Sequence, residues 1–166
     1  MESLIKAHDA HKYLDYDAAT GEMHWKIWPR TGRPSGREIL TTNAQGYRVV
    51  TLMGRQYRVH RVAWLIMYGK WPSELLDHAN GKRTDNRLVN LREANRAENN
   101  RNRGMSRNNT TGFKGVTYNK DRKKWQAKIY RNNKAIHLGR FASAQQAFAA
   151  YCKASREHHG EFRRLV

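Results

Sequence analysis

From Arg101 to Thr111 the chain reads Arg-Asn-Arg-Gly-Met-Ser-Arg-Asn-Asn-Thr-Thr, a run with almost nothing to bury. A run of this kind is a linker, so apolar patterning on either side builds two small cores rather than one large one. The 166 residues, 39% of them hydrophobic, leave room for that and little more. No apolar run approaches the ~18–20 residues a membrane span needs. The stretch from Met1 to His11 has no apolar signal-type region, so a cytoplasmic location without a signal peptide is expected. The lone Cys152 excludes an intramolecular disulfide and a Cys-rich zinc site, and reads as packing filler.

The charge is concentrated. Residues 1–100 hold 16 basic and 11 acidic side chains, whereas residues 101–140 hold 12 basic and only Asp121 on the acidic side. Such a stretch repels itself unless a polyanion neutralises it, and a phosphate backbone does so through counterion release. An anionic membrane surface is the rival partner. Membrane-binding stretches set their basic residues on an amphipathic helix; here Gly, Asn and Thr break the run and an alternating pattern follows. Nucleic acid is the expected partner, and no membrane.

The patterning predicts a mixed α+β chain. Apolar and Ala positions in 2–12 suggest a short helix. Tyr13–Tyr16 and Glu22–Lys26 around Asp17–Gly21 read as a hairpin, and Tyr47–Leu52 with Gln56–Val59 as a second one turning at Met53-Gly54-Arg55. Helical spacing covers His60–Tyr68 until Gly69. Next come a short strand ending in Asp77-His78, a polar loop from Ala79 to Arg87, a strand-like piece from Leu88 to Glu93, and a helix whose capping box is Asn95-Arg96-Ala97-Glu98. After the linker, strands near Gly115–Tyr118, Trp125–Tyr130 and Ala135–Leu138 precede a helix opened by Ser143 and stopped by Gly160. Trp125, Ala127 and Ile129 alternate with Gln126, Lys128 and Tyr130, so one sheet face is apolar and the other polar and basic. The helix stripe Ala144, Ala147, Phe148, Tyr151 and Ala154 can cover the apolar one.

Asp77, His78, Asn90 and Asn99 carry the most specific chemistry. Phosphodiester hydrolysis needs an activated water, positive charge on a non-bridging oxygen and stabilisation of the departing oxyanion. A divalent metal on a carboxylate and a second oxygen can do the last two, and an imidazole can take the proton. Adjacent strand residues point to opposite faces, separating an Asp77 ligand from a His78 base. Asp and Asn oxygens favour one magnesium or manganese ion over zinc. The same residues also fit an Asp-capped turn with a hydrogen-bonded histidine, and asparagines from Asn80 to Asn109 fit turns and caps.

Val59-His60-Arg61, then Leu76-Asp77-His78-Ala79-Asn80-Gly81-Lys82-Arg83-Thr84-Asp85-Asn86-Arg87 with Asn90-Leu91-Arg92 and Glu98-Asn99, resembles the HNH endonucleases, most of all the phage and intron-type homing enzymes. The resemblance, running from about Tyr13 to Asn102, implies a ββα-metal finger over 75–102. It makes His78 the general base, Asp77 and Asn99 the metal ligands, and Asn90 a catalytic-loop brace. Asn99 stands where other members have His, an HNN variant. Gly112-Phe113-Lys114-Gly115-Val116, Trp125–Ile129, Leu138-Gly139-Arg140-Phe141 and Ala147–Ala154 resemble an Apetala-type domain. That resemblance implies a three-stranded sheet in the DNA major groove, with Lys114, Thr117, Asn119, Lys128, Tyr130 and His137 on the exposed face. Several arginines and a tryptophan of the plant members are absent, so their sequence preference does not carry over. The resulting division is an HNH endonuclease domain at 1–102, a basic linker at 103–111 and an Apetala-type DNA-binding domain at 112–166.

Arg101, Arg103 and Arg107 in the linker, and Arg83 and Arg87 in the finger loop, are expected to track phosphates of double-stranded DNA. His60 reads as a packing or capping residue, Trp64, Trp71 and Trp125 as core, and His158-His159 as a helix end. The leading expectation is a monomeric, metal-dependent, site-specific DNA nicking enzyme acting in a bacterial host. Its rivals are a duplex-DNA-binding regulator with a degenerate finger, and an RNA-binding protein.

Overall fold

A hairpin opens the chain after a short helix. In the computed structural model, which describes residues 5–106, 108–131 and 134–165, α1 spans Ala7–Tyr13 and runs straight into β1 (Leu14–Tyr16). The chain then turns back through β2 (Met23–Trp25), with Leu14 opposite Trp25 and Tyr16 opposite Met23. The helix is shorter than the 2–12 pattern predicts: Asp9 accepts from the Lys6 backbone N–H at 3.0 Å and sets its start there, and Leu4 of that pattern lies outside the described residues.

The second hairpin pairs β3 (Val49–Leu52) with β4 (Arg55–Arg58), turning at Met53-Gly54 as expected. Its last strand feeds α2 (Val59–Tyr68), which Gly69 ends in the left-handed region at φ 71° with its N–H on the Leu65 carbonyl. Leu14, Met23, Leu52, Val59, Val62 and Leu65 form a closed core under these elements. The Trp71 indole donates to the Ile5 carbonyl at 3.0 Å and stacks on Tyr57, which places it against the core as its apolar context predicts. The third hairpin pairs β5 (Leu75–His78) with β6 (Leu91–Ala94). The strand-like pattern from Leu88 is only half strand: Leu88–Asn90 is a 3₁₀ turn, because Asn90 spends its polar groups on the loop before it.

α3 (Arg96–Arg101) follows Asn95 directly. The chain divides into two compact units between Asn95 and Arg96, earlier than the 103–111 linker suggests. The reason lies in what those residues bind. The Lys114 ammonium donates to the carbonyls of Arg101 at 3.1 Å, Arg103 at 2.5 Å and Arg164 at 2.8 Å. Asn109 and Thr111 likewise hydrogen-bond the 113–116 backbone. α3 and the run after it therefore belong to the second unit.

In that unit β7 (Val116–Asn119), β8 (Lys124–Arg131) and β9 (Lys134–Phe141) form an antiparallel sheet in sequence order. α4 (Ala144–His159) lies across it. The Ser143 hydroxyl accepts from Gln146 N–H at 3.2 Å, the N-cap its sequence announces. Ala144, Ala147, Tyr151 and Ala154 are buried, with Val116, Ala127 and Ile129 from the sheet. A bulge after Ala127 shifts the β8–β9 register, which lets Leu138 pack into the core. β9 is consequently longer than its alternation predicts. Gly115 is required at its place: a Cβ there would sit 2.3 Å from the Tyr151 ring. The Asn132-Asn133 turn lies outside the described residues.

Candidate active site

Asp77 and His78 are both buried, at 7% and 4% exposure, at the end of β5. Strand alternation sends them to opposite faces. The register sets Asp77 opposite Arg92 on β6. Arg92 donates through Nε at 3.2 Å and Nη2 at 3.1 Å to Asp77 Oδ2. Sequence reading gave Arg92 no role, although pairing the two strands in this register was enough to find it.

His78 Nε2 lies 3.1 Å from Asn86 Oδ1, and Asn86 is itself only 2% exposed. The amide oxygen can only accept, so the proton sits on Nε2 and Nδ1 carries the ring's lone pair. Burial pushes the His78 imidazole below its ordinary pKa. The Asn86 hydrogen bond and the charges of Asp77 and Asp85 oppose that shift, and Arg83 adds to it. A neutral imidazole at neutral pH is the result, the form a proton acceptor needs.

Asn86 is held from the first hairpin. Tyr16 Oη donates to its carbonyl at 2.8 Å, and Leu88 N–H donates to the Ala18 carbonyl at 3.0 Å. The approach is close because Gly21, at φ +78°, has no side chain: a Cβ there would lie 2.4 Å from the Arg87 nitrogen. Nothing local in the sequence signals this prop, which arises from residues some seventy positions apart.

Asn90, 6% exposed, spans the loop. Its Nδ2 donates to the Asp85 carbonyl at 2.7 Å and its Oδ1 accepts from Asn80 N–H at 2.9 Å. Ala79 N–H also reaches the Asn90 carbonyl at 2.8 Å. Asp85 takes Asn80 Nδ2 at 2.6 Å and a two-pronged contact from Arg87, Nε at 2.8 Å and Nη2 at 2.7 Å. The Arg87 guanidinium holds the Asp85 carboxyl down to about 2. Arg87 thus spends its fork inside the loop, whereas Arg83 is exposed and donates to the Gln45 carbonyl at 2.5 Å.

A fourth group stands beside His78. The ring of His60, 2% exposed, lies edge-on with its centroid 4.8 Å from that of His78. Its Nδ1 has no hydrogen-bond partner among the described residues. Burial first, then His78, Arg58 and Arg61, push its pKa down to about 2, so it stays neutral. Packing is what its sequence context predicts, and it packs against the candidate base. Tyr47 adds its ring at 5.2 Å from His60 and 5.9 Å from His78.

Asn99 sits half-buried on α3, in the second unit, while Asp77 and His78 belong to the first. Among the described residues no group of three or more His, Cys, Asp or Glu side chains could hold a metal ion. Asp77 is the buried carboxylate of the first unit's candidate site, and carboxylate oxygen suits a hard cation that keeps most of its own water, such as magnesium or manganese, better than zinc.

Of the residues expected on the second unit's open sheet face, Thr117, Lys128, Tyr130 and His137 are exposed and Asn119 is half-buried. Asn119 Oδ1 caps its turn, accepting from Arg122 N–H at 2.9 Å. Lys114 is not on that face: its ammonium sits among three carbonyls, and burial lowers its pKa to about 8. Arg103 is exposed, Arg101 is half-buried, and Arg107 lies outside the described residues. His159 is buried, with Nε2 3.1 Å from the Tyr130 carbonyl. That places it as a structural helix end.

Residues 57–101, the stretch from β4 through α3 that contains Asp77, His78, Asn90 and Asn99, match the HNH endonuclease family. The chain is also 32% identical over 109 residues to Protein 3.8 of Escherichia phage T7, an alignment covering 65% of this chain and 89% of that protein. The chain belongs to the Protein 3.8 family and carries an HNH endonuclease domain. HNH nucleases act on DNA and generally use a divalent metal. No solved structure matches the chain. None of its helices is long and apolar enough to cross a membrane, among the described residues.

Proposed function

We propose that this HNH protein is a metal-dependent, site-specific DNA endonuclease of the homing type that nicks one strand of a duplex in a bacterial host, acting as a monomer. The observation that carries the reading is His78: a buried, neutral imidazole with its proton fixed on Nε2 by Asn86, next in sequence to a buried carboxylate, within the HNH-matched segment.

In this reading His78 Nδ1 takes a proton from water as the water oxygen bonds to phosphorus. The bond from phosphorus to the leaving sugar oxygen then breaks. A divalent cation, held by Asp77 and Asn99, would supply positive charge to the phosphate and the departing oxyanion. Asn90 keeps the loop between the two strands closed, and through it Asp85, Asn86 and the His78 hydrogen bond stay in register. The second unit, as an Apetala-type domain, lays the face bearing Thr117, Lys128, Tyr130 and His137 on the duplex, with Arg101, Arg103 and Arg107 on phosphates. A single candidate base per chain supports nicking rather than a double-strand break.

The test is conversion of supercoiled plasmid and phage DNA with magnesium or manganese, against EDTA and against His78→Ala. Open circle before linear product, lost in both controls, is expected; linear product appearing first rules out the nicking reading. One observation favours a second reading, a non-catalytic duplex-binding regulator: Arg92 occupies an oxygen of Asp77, the carboxylate a metal would need. Equal DNA binding by wild type and His78→Ala, with no cutting of DNA that contains the natural site, selects the regulator.

A further inference from the structure

The first unit carries two arginines beside its candidate base that no acidic side chain balances. The Arg58 guanidinium lies 4.5 Å from the centroid of the Tyr47 ring and that of Arg83 lies 5.0 Å from the same centroid. Both arginines are exposed. The neighbouring arginines are neutralised, Arg87 by Asp85 and Arg92 by Asp77. Among the described residues no carboxylate comes within ion-pair distance of Arg58 or Arg83. Two cations held on one ring repel each other, and the aromatic face offsets only part of that cost. An anion that both guanidiniums reach offsets it. Arg83 is further pinned through the Gln45 carbonyl at 2.5 Å, so its fork is oriented before any ligand arrives. Tyr47, half-buried, is the common support, and the same ring reaches both His60 and His78.

The geometry points to a phosphate clamp: Arg58 and Arg83, carried on Tyr47, grip the phosphodiester backbone of the nucleic-acid strand that passes His78. The clamp rests on the endonuclease reading for the strand's identity. Guanidinium forks match non-bridging phosphate oxygens, and a rigid aromatic support lowers the ordering cost of presenting two at once. Arg58 and Arg83 are binding residues here, and Tyr47 is a positioning residue acting through them.

Fluorescence anisotropy with a labelled duplex of about 40 base pairs, metal-free, at about 50 and 200 mM salt tests this. Each phosphate contact contributes about 0.9 to the log–log salt slope, so Arg58→Gln with Arg83→Gln lowers the slope by about 1.8. The gap between wild type and variant then narrows about tenfold from the lower to the higher salt. Arg33→Gln with Arg55→Gln, exposed and charge-matched on the same unit, keeps the wild-type slope, and Arg58→Lys with Arg83→Lys restores most of it. A clamp variant with the wild-type slope, or a matched control with the same loss, overturns the proposal. Should the glutamine variant fail to fold, phenylglyoxal labelling of the wild-type chain decides: duplex protects Arg58 and Arg83 but not Arg33 and Arg55, and equal labelling overturns the clamp. A chain that shows the slope loss yet never nicks its natural DNA supports the clamp and sinks the endonuclease reading. Nicking with an unaltered slope does the reverse.

Discussion

Replacing Gly21 with alanine separates two costs that usually come mixed. Gly21 and Gly54 have nearly the same backbone conformation, φ +78° and +74°, but different surroundings. Around Gly54 nothing lies within 4 Å of a would-be Cβ, whereas at Gly21 that atom would meet the Arg87 nitrogen at 2.4 Å and the Asn86 carbonyl carbon at 2.6 Å. Gly54→Ala therefore costs only left-handed strain, about 1–2 kcal/mol. Gly21→Ala costs the same strain plus overpacking of about 1–3 kcal/mol, because the obstacle is backbone and cannot rotate away. The extra term falls on the segment that holds Asn86 against His78, through the Tyr16 and Ala18 hydrogen bonds. Thermal unfolding reads the difference: for a unit of this size, each kcal/mol moves the midpoint by about 4–8 °C. Gly21→Ala should melt roughly 5–20 °C below Gly54→Ala and nick DNA more slowly at a temperature where both are folded. Equal midpoints for the two variants would refute the argument that the first hairpin props the His78 loop.

Four other perturbations have outcomes of known sign. His60, neutral in the fold with its pKa near 2, protonates freely once unfolded; stability is full above about pH 6.5 and falls as pH drops below it, by about 1.4 kcal/mol per pH unit for one proton. His60→Phe removes one proton's worth of that slope, as equilibrium unfolding between about pH 6.5 and 5 reads. Lys114→Met loses three hydrogen bonds to carbonyls and should cost about 3 kcal/mol in unfolding experiments while leaving the salt slope of DNA binding nearly unchanged. Lys128→Met on the open face should do the opposite, with little loss of stability and a slope lower by about 0.9. Arg92→Ala uncovers the buried Asp77 carboxylate and should destabilise by about 3 kcal/mol without metal, with magnesium raising its melting midpoint more than that of wild type; an equal response to magnesium would count against Asp77 as a ligand.

The elements that sequence alone makes legible are those fixed by local patterning. The Met53-Gly54 turn, the Gly69 stop, the Ser143 cap and the Trp125–Ile129 alternation all appear where residue type dictates them. Asp77, His78 and Asn90 stand together because a hairpin puts them there. What stayed hidden depends on long-range placement. Asn86 looks like any loop asparagine until the first hairpin closes on it. Lys114 looks like one more groove-facing base until three carbonyls converge on its ammonium. The pairing of Asp77 with Arg92 lies between: the hairpin's register contains it, but charge counting alone does not reveal it.

The Lys114 anchor makes the helix that carries Asn99 depend on residues far from it in sequence. One of its carbonyl partners belongs to Arg164 and another to Arg101 at the end of that helix. A single ammonium thus fastens a short helix with no buried residue of its own to a segment beyond α4 in the same unit. On the proposed function, taking that ammonium away, as acetylation of the amine would, unties the helix of a metal ligand without touching the ligand.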